Sequence, residues 1–184
     1  MRAPIGNFDE AVPLPKALDL LVPPVAEAVR GWRGSVPAED LLFVDSDPEK
    51  ADTAVFVETY GADLAEASAN CVIVAGRRGG ETTLAAVLVP STTRADVNGA
   101  VRRQLGARKV SFAPHETAVR ETGMEYGGIT VLGLPAGWPV LLDAAVVARD
   151  HVLIGSGARR GKLIVPGAAL AELPGAEVLA GLGR

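Results

Sequence analysis

The chain has 184 residues, 48% hydrophobic and 22% charged, which excludes wholesale disorder and suits one domain with a full core. Its single cysteine, Cys71, excludes an internal disulfide, and every apolar run is too short to span a membrane, so a reducing cytoplasm is the expected setting. The net charge is −4 but unevenly placed: residues 1–67 hold 13 acids against 5 bases and residues 68–184 hold 9 against 13, which leaves room for an anion-binding surface in the later part.

Pro13, Pro15, Pro23 and Pro24 break the first thirty residues, and the spacing in ALDLL and VAEAVRGW predicts an irregular arm of two helices over residues 1–40. LLFVD (41–45) reads as a strand. SDPEKADT is a turn, with Thr53 as the expected cap of a helix over AVFVETY that Gly61 ends. NCVIVAG (70–76) is a continuous run of apolar, mostly branched residues and predicts a buried strand. Arg77-Arg78-Gly79-Gly80 turns it into a second strand, TTLAAVLVP. Thr93-Arg94-Ala95-Asp96 has the form of a capping box ahead of VNGAVRRQLG, with Gly106 as the stop. KVSFA is a strand and PHETAVRETG a short helix. The glycines and prolines of 126–139 predict a long ordered loop. PVLLD, HVLIG and KLIVP follow as strands, and GAALAELPG as a terminal helix. Scarce aromatics, at 4%, and irregular alternation of strands and helices predict an α/β domain with a mixed, partly antiparallel sheet and helices outside it.

No phosphate loop, dinucleotide fingerprint or zinc spacing appears, and His115 and His151 have no partner at ligand spacing. Gly155-Ser156-Gly157 lacks the spacing of a nucleophile elbow. Such a turn either serves structure alone or exposes backbone N–H groups that cradle an oxygen. Cys71 opens a strongly apolar strand, where burial raises a thiol's pKa and makes it inert. Asp143 ends PVLLD where a helical turn begins, so it is either a cap or a carboxylate facing a cleft. Arg77, Arg78, Arg159, Arg160 and Lys162 fall in two turns, which are solvated or meet a polyanion backbone.

Three stretches resemble the YbaK-type aminoacyl-tRNA editing family: NCVIVAGRRGGETTLAAVLVP (70–90), EYGGITVLGLPAGWPVLLDAAV (125–146) and HVLIGSGARRGKLIVP (151–166). VRRQLGARKVSFA and HETAVRETG fit between them in the family's order, and DSDPEKADT (45–53) is a weaker match. The resemblance runs over 41–180 and implies a YbaK-like domain at 41–184, with a barrel-like sheet and peripheral helices, on which the arm of residues 1–40 packs. It implies trans hydrolysis of a mischarged aminoacyl-tRNA ester without metal or cofactor. The expected partners are the aminoacylated tRNA 3′ end and an aminoacyl-tRNA synthetase. It places catalytic roles on Asn70, Gly128 and Asp143, and substrate contacts on Thr53, Gly127, Ile129, Gly155, Ser156 and Gly157. The family's functional lysine falls on Asn70, and the proline after its glycine pair is replaced by Ile129-Thr130-Val131. Asparagine brings hydrogen bonds but no charge. A second reading therefore stands beside the first: a relative that binds a tRNA end or small ligand without hydrolysing it.

Overall fold

The computed structural model describes residues 1–184. Its strands, in chain order, are β1 (Ala11–Pro13), β2 (Leu42–Val44), β3 (Ala69–Arg78), β4 (Glu81–Pro90), β5 (Lys109–Phe112), β6 (Val140–Asp143), β7 (Val152–Gly155), β8 (Lys162–Val165) and β9 (Ala176–Leu179). They form two sheets rather than one closed barrel. The first runs β1-β2-β8-β7, antiparallel throughout. The second runs β5-β3-β4-β6-β9, antiparallel across β5, β3 and β4 and parallel across β4, β6 and β9. A bridge between Ser68 and Leu153 ties the sheets at one corner, where the Arg149 guanidinium also donates to the Ser68 carbonyl at 3.2 Å.

The helices are short: α1 (Pro23–Arg30), α2 (Thr53–Tyr60), α3 (Leu64–Ala67), α4 (Arg102–Gln104, continuing a wider turn at Val97–Val101), α5 (His115–Thr122), α6 (Ala144–Val147) and α7 (Gly167–Leu170). None is long and apolar enough to cross a membrane. The β3–β4 hairpin closes on Gly79 (φ +59°) and Gly80 (φ +85°), the doubly left-handed pair that a two-residue turn needs to match strand twist.

The first forty residues are more than a helical arm. β1 pairs with β2 and so extends the first sheet. Leu14, Ala17, Leu21, Val25, Ala26 and Val29 join a core cluster of 27 buried residues that also holds Ile73, Leu88, Leu142, Ile154 and Leu163. ALDLL forms a 3-10 turn rather than an α-helix, hemmed by the prolines and a preceding tight turn. Two capping expectations are corrected. Thr53 is the first residue of α2, with Asp52 ahead of it. Asp96, not Thr93, caps the Val97 turn, its carboxylate accepting from Ala100 N–H at 2.8 Å, while Thr93 donates to the Pro90 carbonyl. β9 is a strand beyond those the sequence predicts, because AEVL is a four-residue segment between glycine-containing turns that only its parallel pairing with β6 makes a strand.

Candidate active site

A cleft of about 370 Å³ opens where the two sheets meet, and 13 of its 21 lining residues are hydrophobic. β3 contributes Asn70, Cys71, Val72 and Ile73, and β7 contributes Leu153, Ile154 and Gly155. The start of α2 contributes Asp52, Thr53 and Phe56. α5, with the loop after it, contributes His115, Tyr126, Gly127 and Ile129, and β8 contributes Lys162. Five of the residues expected at the site therefore converge: Thr53, Asn70, Gly127, Ile129 and Gly155.

Asn70 is exposed to the cleft and its amide makes no hydrogen bond within the chain, so it is not spent on holding a strand end. Thr53 and Asp52 are likewise exposed, with side chains free of intrachain hydrogen bonds. His115 stacks on Tyr126 with ring centroids 3.6 Å apart and planes 24° apart, which makes a flat aromatic wall at the rim. Cys71 lines the cleft, but burial pushes its thiol up to about 12, so at neutral pH it is a neutral thiol and not a nucleophile.

The glycine-pair loop and the glycine turn after β7 are zipped together. Gly157 N–H donates to the Gly128 carbonyl and Glu125 N–H to the Gly157 carbonyl, each at 2.8 Å. Arg159 N–H donates to the Glu125 carboxylate at 2.7 Å. Gly128 and Gly155 are required by this approach: a Cβ on Gly128 would lie 2.1 Å from the Ala158 carbonyl oxygen, and one on Gly155 2.5 Å from that of Gly128. The zipping consumes two of the expected oxyanion donors, since Gly128 N–H is also bound, to the Glu125 carbonyl at 3.0 Å. The N–H groups of Gly127 and Ile129, two cleft-lining residues, donate to no protein atom, and neither does that of Tyr126.

Four expected site residues do not line the cleft: Gly128, held in the zipped loop, and three others. Ser156 is buried, and its hydroxyl is held by the Ala158 and Arg160 carbonyls, so it staples the turn. Gly157 packs under Val22 and Val25 of the N-terminal segment. Asp143 is buried at the end of β6, outside the cleft. One carboxylate oxygen accepts from Ala145 N–H at 2.8 Å and the other from Gly183 N–H at 2.7 Å. It caps α6 and moors the C-terminal segment, so both its oxygens are taken.

The basic turns also separate. Arg77 and Arg78 end β3 of the second sheet, whereas Lys162 opens β8 of the first and Arg159 and Arg160 lie in the turn that joins β7 to β8. Arg160 makes a two-pronged ion pair with Asp45 at 2.8 and 2.7 Å, which holds the Asp45 carboxyl below its ordinary value. Arg159 donates to the Pro48 carbonyl at 3.1 Å. Lys162 is different. It is partly buried, enters the cleft, and makes no ion pair. Its ammonium sits 5.5 Å over the Phe56 ring, and burial, then repulsion from Arg159, holds its pKa below the ordinary lysine value. Grouping Lys162 with the turn arginines concealed this. The available signal was its position at the head of the buried strand KLIV, a lysine where every following residue is apolar.

The fold and the cleft have known counterparts. The structure superposes on a proposed trans-editing enzyme for prolyl-tRNA synthetase with a TM-score of 0.71 at 21% identity, covering 89% of this chain and 99% of that one. It superposes on a scaffold used for computational epitope grafting with a TM-score of 0.72 at 19% identity, covering 89% and 97%. No curated protein matches the sequence. The aminoacyl-tRNA editing domain model matches residues 47–173, a span that contains every cleft-lining residue. The chain belongs to the aminoacyl-tRNA editing domain family.

Proposed function

We propose that the chain is a trans-acting deacylase that hydrolyses the ester of a mischarged tRNA. The observation that carries the reading is the convergence, in one largely apolar cleft, of Asn70, Lys162 and the unbonded N–H groups of Gly127 and Ile129. An aminoacyl ester is an activated acyl group, so the site needs a positioned water and donors for the developing oxyanion more than it needs a strong nucleophile. Water oxygen bonds to the carbonyl carbon, and the carbonyl π pair moves onto oxygen, where the free N–H groups and the Lys162 ammonium stabilise it. The tetrahedral adduct then collapses. The bond to the ribose oxygen breaks, and that oxygen takes up the proton released by the attacking water, leaving free amino acid and tRNA. Asn70 orients the tRNA end by hydrogen bonds. Asp52, exposed at the rim, is the carboxylate positioned for the substrate's α-ammonium. The walls Ile73, Ala113, Ala118, Ile129 and Leu153 and the modest volume favour a small apolar aminoacyl group.

The test is loss of label from a panel of aminoacylated tRNAs, starting with proline tRNA carrying a wrong amino acid, because one structural neighbour is described in connection with prolyl-tRNA synthetase. Turnover of at least one mischarged species is expected. No loss on any of them removes the hydrolytic reading. The competing reading, a binding module, is favoured by Asn70 standing where the family has lysine. Asn70→Lys separates the two: hydrolysis appearing only in the variant identifies the parent as a binder, and an active parent that the lysine slows makes asparagine the working residue.

A further inference from the structure

Away from the cleft, positive charge gathers at one end of the second sheet. β3 ends in Arg77-Arg78, and Arg108 and Lys109 lead into β5 beside it. Together they surround a concavity of about 280 Å³ with no hydrophobic lining residue and a single carboxylate, Glu81. Arg102 and Arg103 stand next to it. Their carbonyls accept from Ala107 and Gly106 N–H at 3.2 and 3.1 Å in the turn that enters β5. All six cations are exposed and none forms an ion pair. Arg78 donates to the Gly106 carbonyl at 3.1 Å, which fixes the side chain and leaves its charge unmatched. Six unmatched cations in a chain of net charge −4 repel one another, a standing cost that an anionic partner relieves.

The placement narrows the partner. Side chains alternate along a strand, so Cys71, Ile73, Ala75 and Arg77 share one face of β3. Cys71 and Ile73 line the cleft, and Lys109 is the cross-strand neighbour of Arg77. The cleft takes Asn70 through Ile73 from the start of β3 and the basic concavity takes Arg77 and Arg78 from its end, so the two are stations along one strand. Arg77 lies about 13 Å beyond Ile73 and about 23 Å beyond Asn70, at roughly 3.3 Å per residue. At the tip, Gly79 and Gly80 have open space where a Cβ would be, so a rigid backbone can approach closely. A shallow concavity without apolar walls does not enclose a small molecule. It suits phosphates repeated along a rod.

We propose that this surface binds the phosphates of the acceptor arm of the same tRNA whose aminoacylated 3′ end enters the cleft. The orientation of the RNA rests on the deacylase reading; the binding itself does not. Nucleic-acid affinity of this kind comes from counterion release, with a slope of log K against log salt near −0.9 per phosphate contacted in a duplex.

The experiment compares the parent with the triple variant Arg77→Ala, Arg108→Ala, Lys109→Ala, all exposed positions outside the cleft. Affinity for uncharged tRNA is measured from low to moderate salt, and hydrolysis is measured on full aminoacyl-tRNA and on an aminoacylated CCA trinucleotide. The expected result is tRNA binding weakened about tenfold or more and a salt slope shallower by about 3. Hydrolysis of the trinucleotide stays at the parent's rate while kcat/KM on full tRNA falls. Unchanged tRNA affinity and slope overturn the inference. So does equal loss on the trinucleotide, which places the effect in the cleft, and so does competition by polyglutamate as effective as RNA of equal charge, which makes this a general anion surface. Patch-dependent tRNA binding in a parent that hydrolyses nothing leaves this inference standing and removes the deacylase reading.

Discussion

Asn70 and Lys162 enter the cleft from different sheets, and the cation that lines it comes from β8 rather than from β3. A partly buried ammonium without a carboxylate is unfavourable for folding. Because its folded-state pKa is depressed, the group destabilises the folded state fully at pH below the lowered value, and the penalty fades as pH rises from there to the ordinary lysine value, above which both states are neutral. Lys162→Met should therefore melt no lower than the parent while losing roughly 100-fold in kcat/KM on mischarged tRNA, the scale of losing one oxyanion donor. The ratio of parent to variant rate should shrink as pH climbs and the ammonium deprotonates, before the ordinary lysine range. A variant with parental turnover removes Lys162 from the chemistry. Asp143 predicts the opposite split. Asp143→Ala strands two backbone N–H groups, so thermal unfolding should show a loss of about 1–3 kcal/mol with per-molecule turnover unchanged. The carboxylate's position at a strand-to-helix junction was legible in the sequence. Which way it pointed was not, because Gly183, its second partner, lies forty residues away.

At the scale of elements, the glycine loop zipped to the turn after β7 supplies part of one wall of the cleft through Gly127, Ile129 and Gly155. Gly128→Ala places a methyl group against the Ala158 carbonyl, backbone against backbone, where neither side can rotate away. The two loops must separate. A destabilisation of about 1–3 kcal/mol is expected from such overpacking. Activity should fall further than stability alone explains, because the Gly127 and Ile129 donors move with the loop. Gly128→Ala with parental melting and turnover would show that the loop has slack. The β3–β4 hairpin was readable from its apolar runs and its Gly-Gly turn, since that information is local. The loops were readable only as loops. Glycine content marks a close approach but does not say to what, and the match between Gly128 and Ala158 is made across thirty residues. The same limit hid the fate of the N–H groups, which the zipping divides into bound and free.

The whole molecule depends on residues that the family match leaves out. The match begins at residue 47, yet β1, β2 and α1 lie before it, and Leu14, Val25, Leu41 and Phe43 are buried in the main core. A chain cut to 47–184 loses two of the four strands of the first sheet and exposes Leu163 and Ile164 on β8. It should fail to give a cooperative melt or dispersed amide resonances. A truncated chain that folds and deacylates like the parent would show the first 46 residues to be an appendage. Sequence patterning found β2 but not its neighbour, because nothing local to Leu42–Val44 announces that its partner is Lys162–Val165. That pairing closes a loop of roughly 120 residues, among the slowest kinds of contact to form. On the ribosome, the β3–β4 hairpin can assemble from contiguous chain while Leu42, Phe43 and Val44, paired on one edge with β1, keep the other edge open until β8 emerges near the end of the polypeptide. Until β8 emerges the cleft lacks its lysine wall, so a nascent or prematurely terminated chain carries an apolar strand open to aggregation and no completed site with which to act on tRNA.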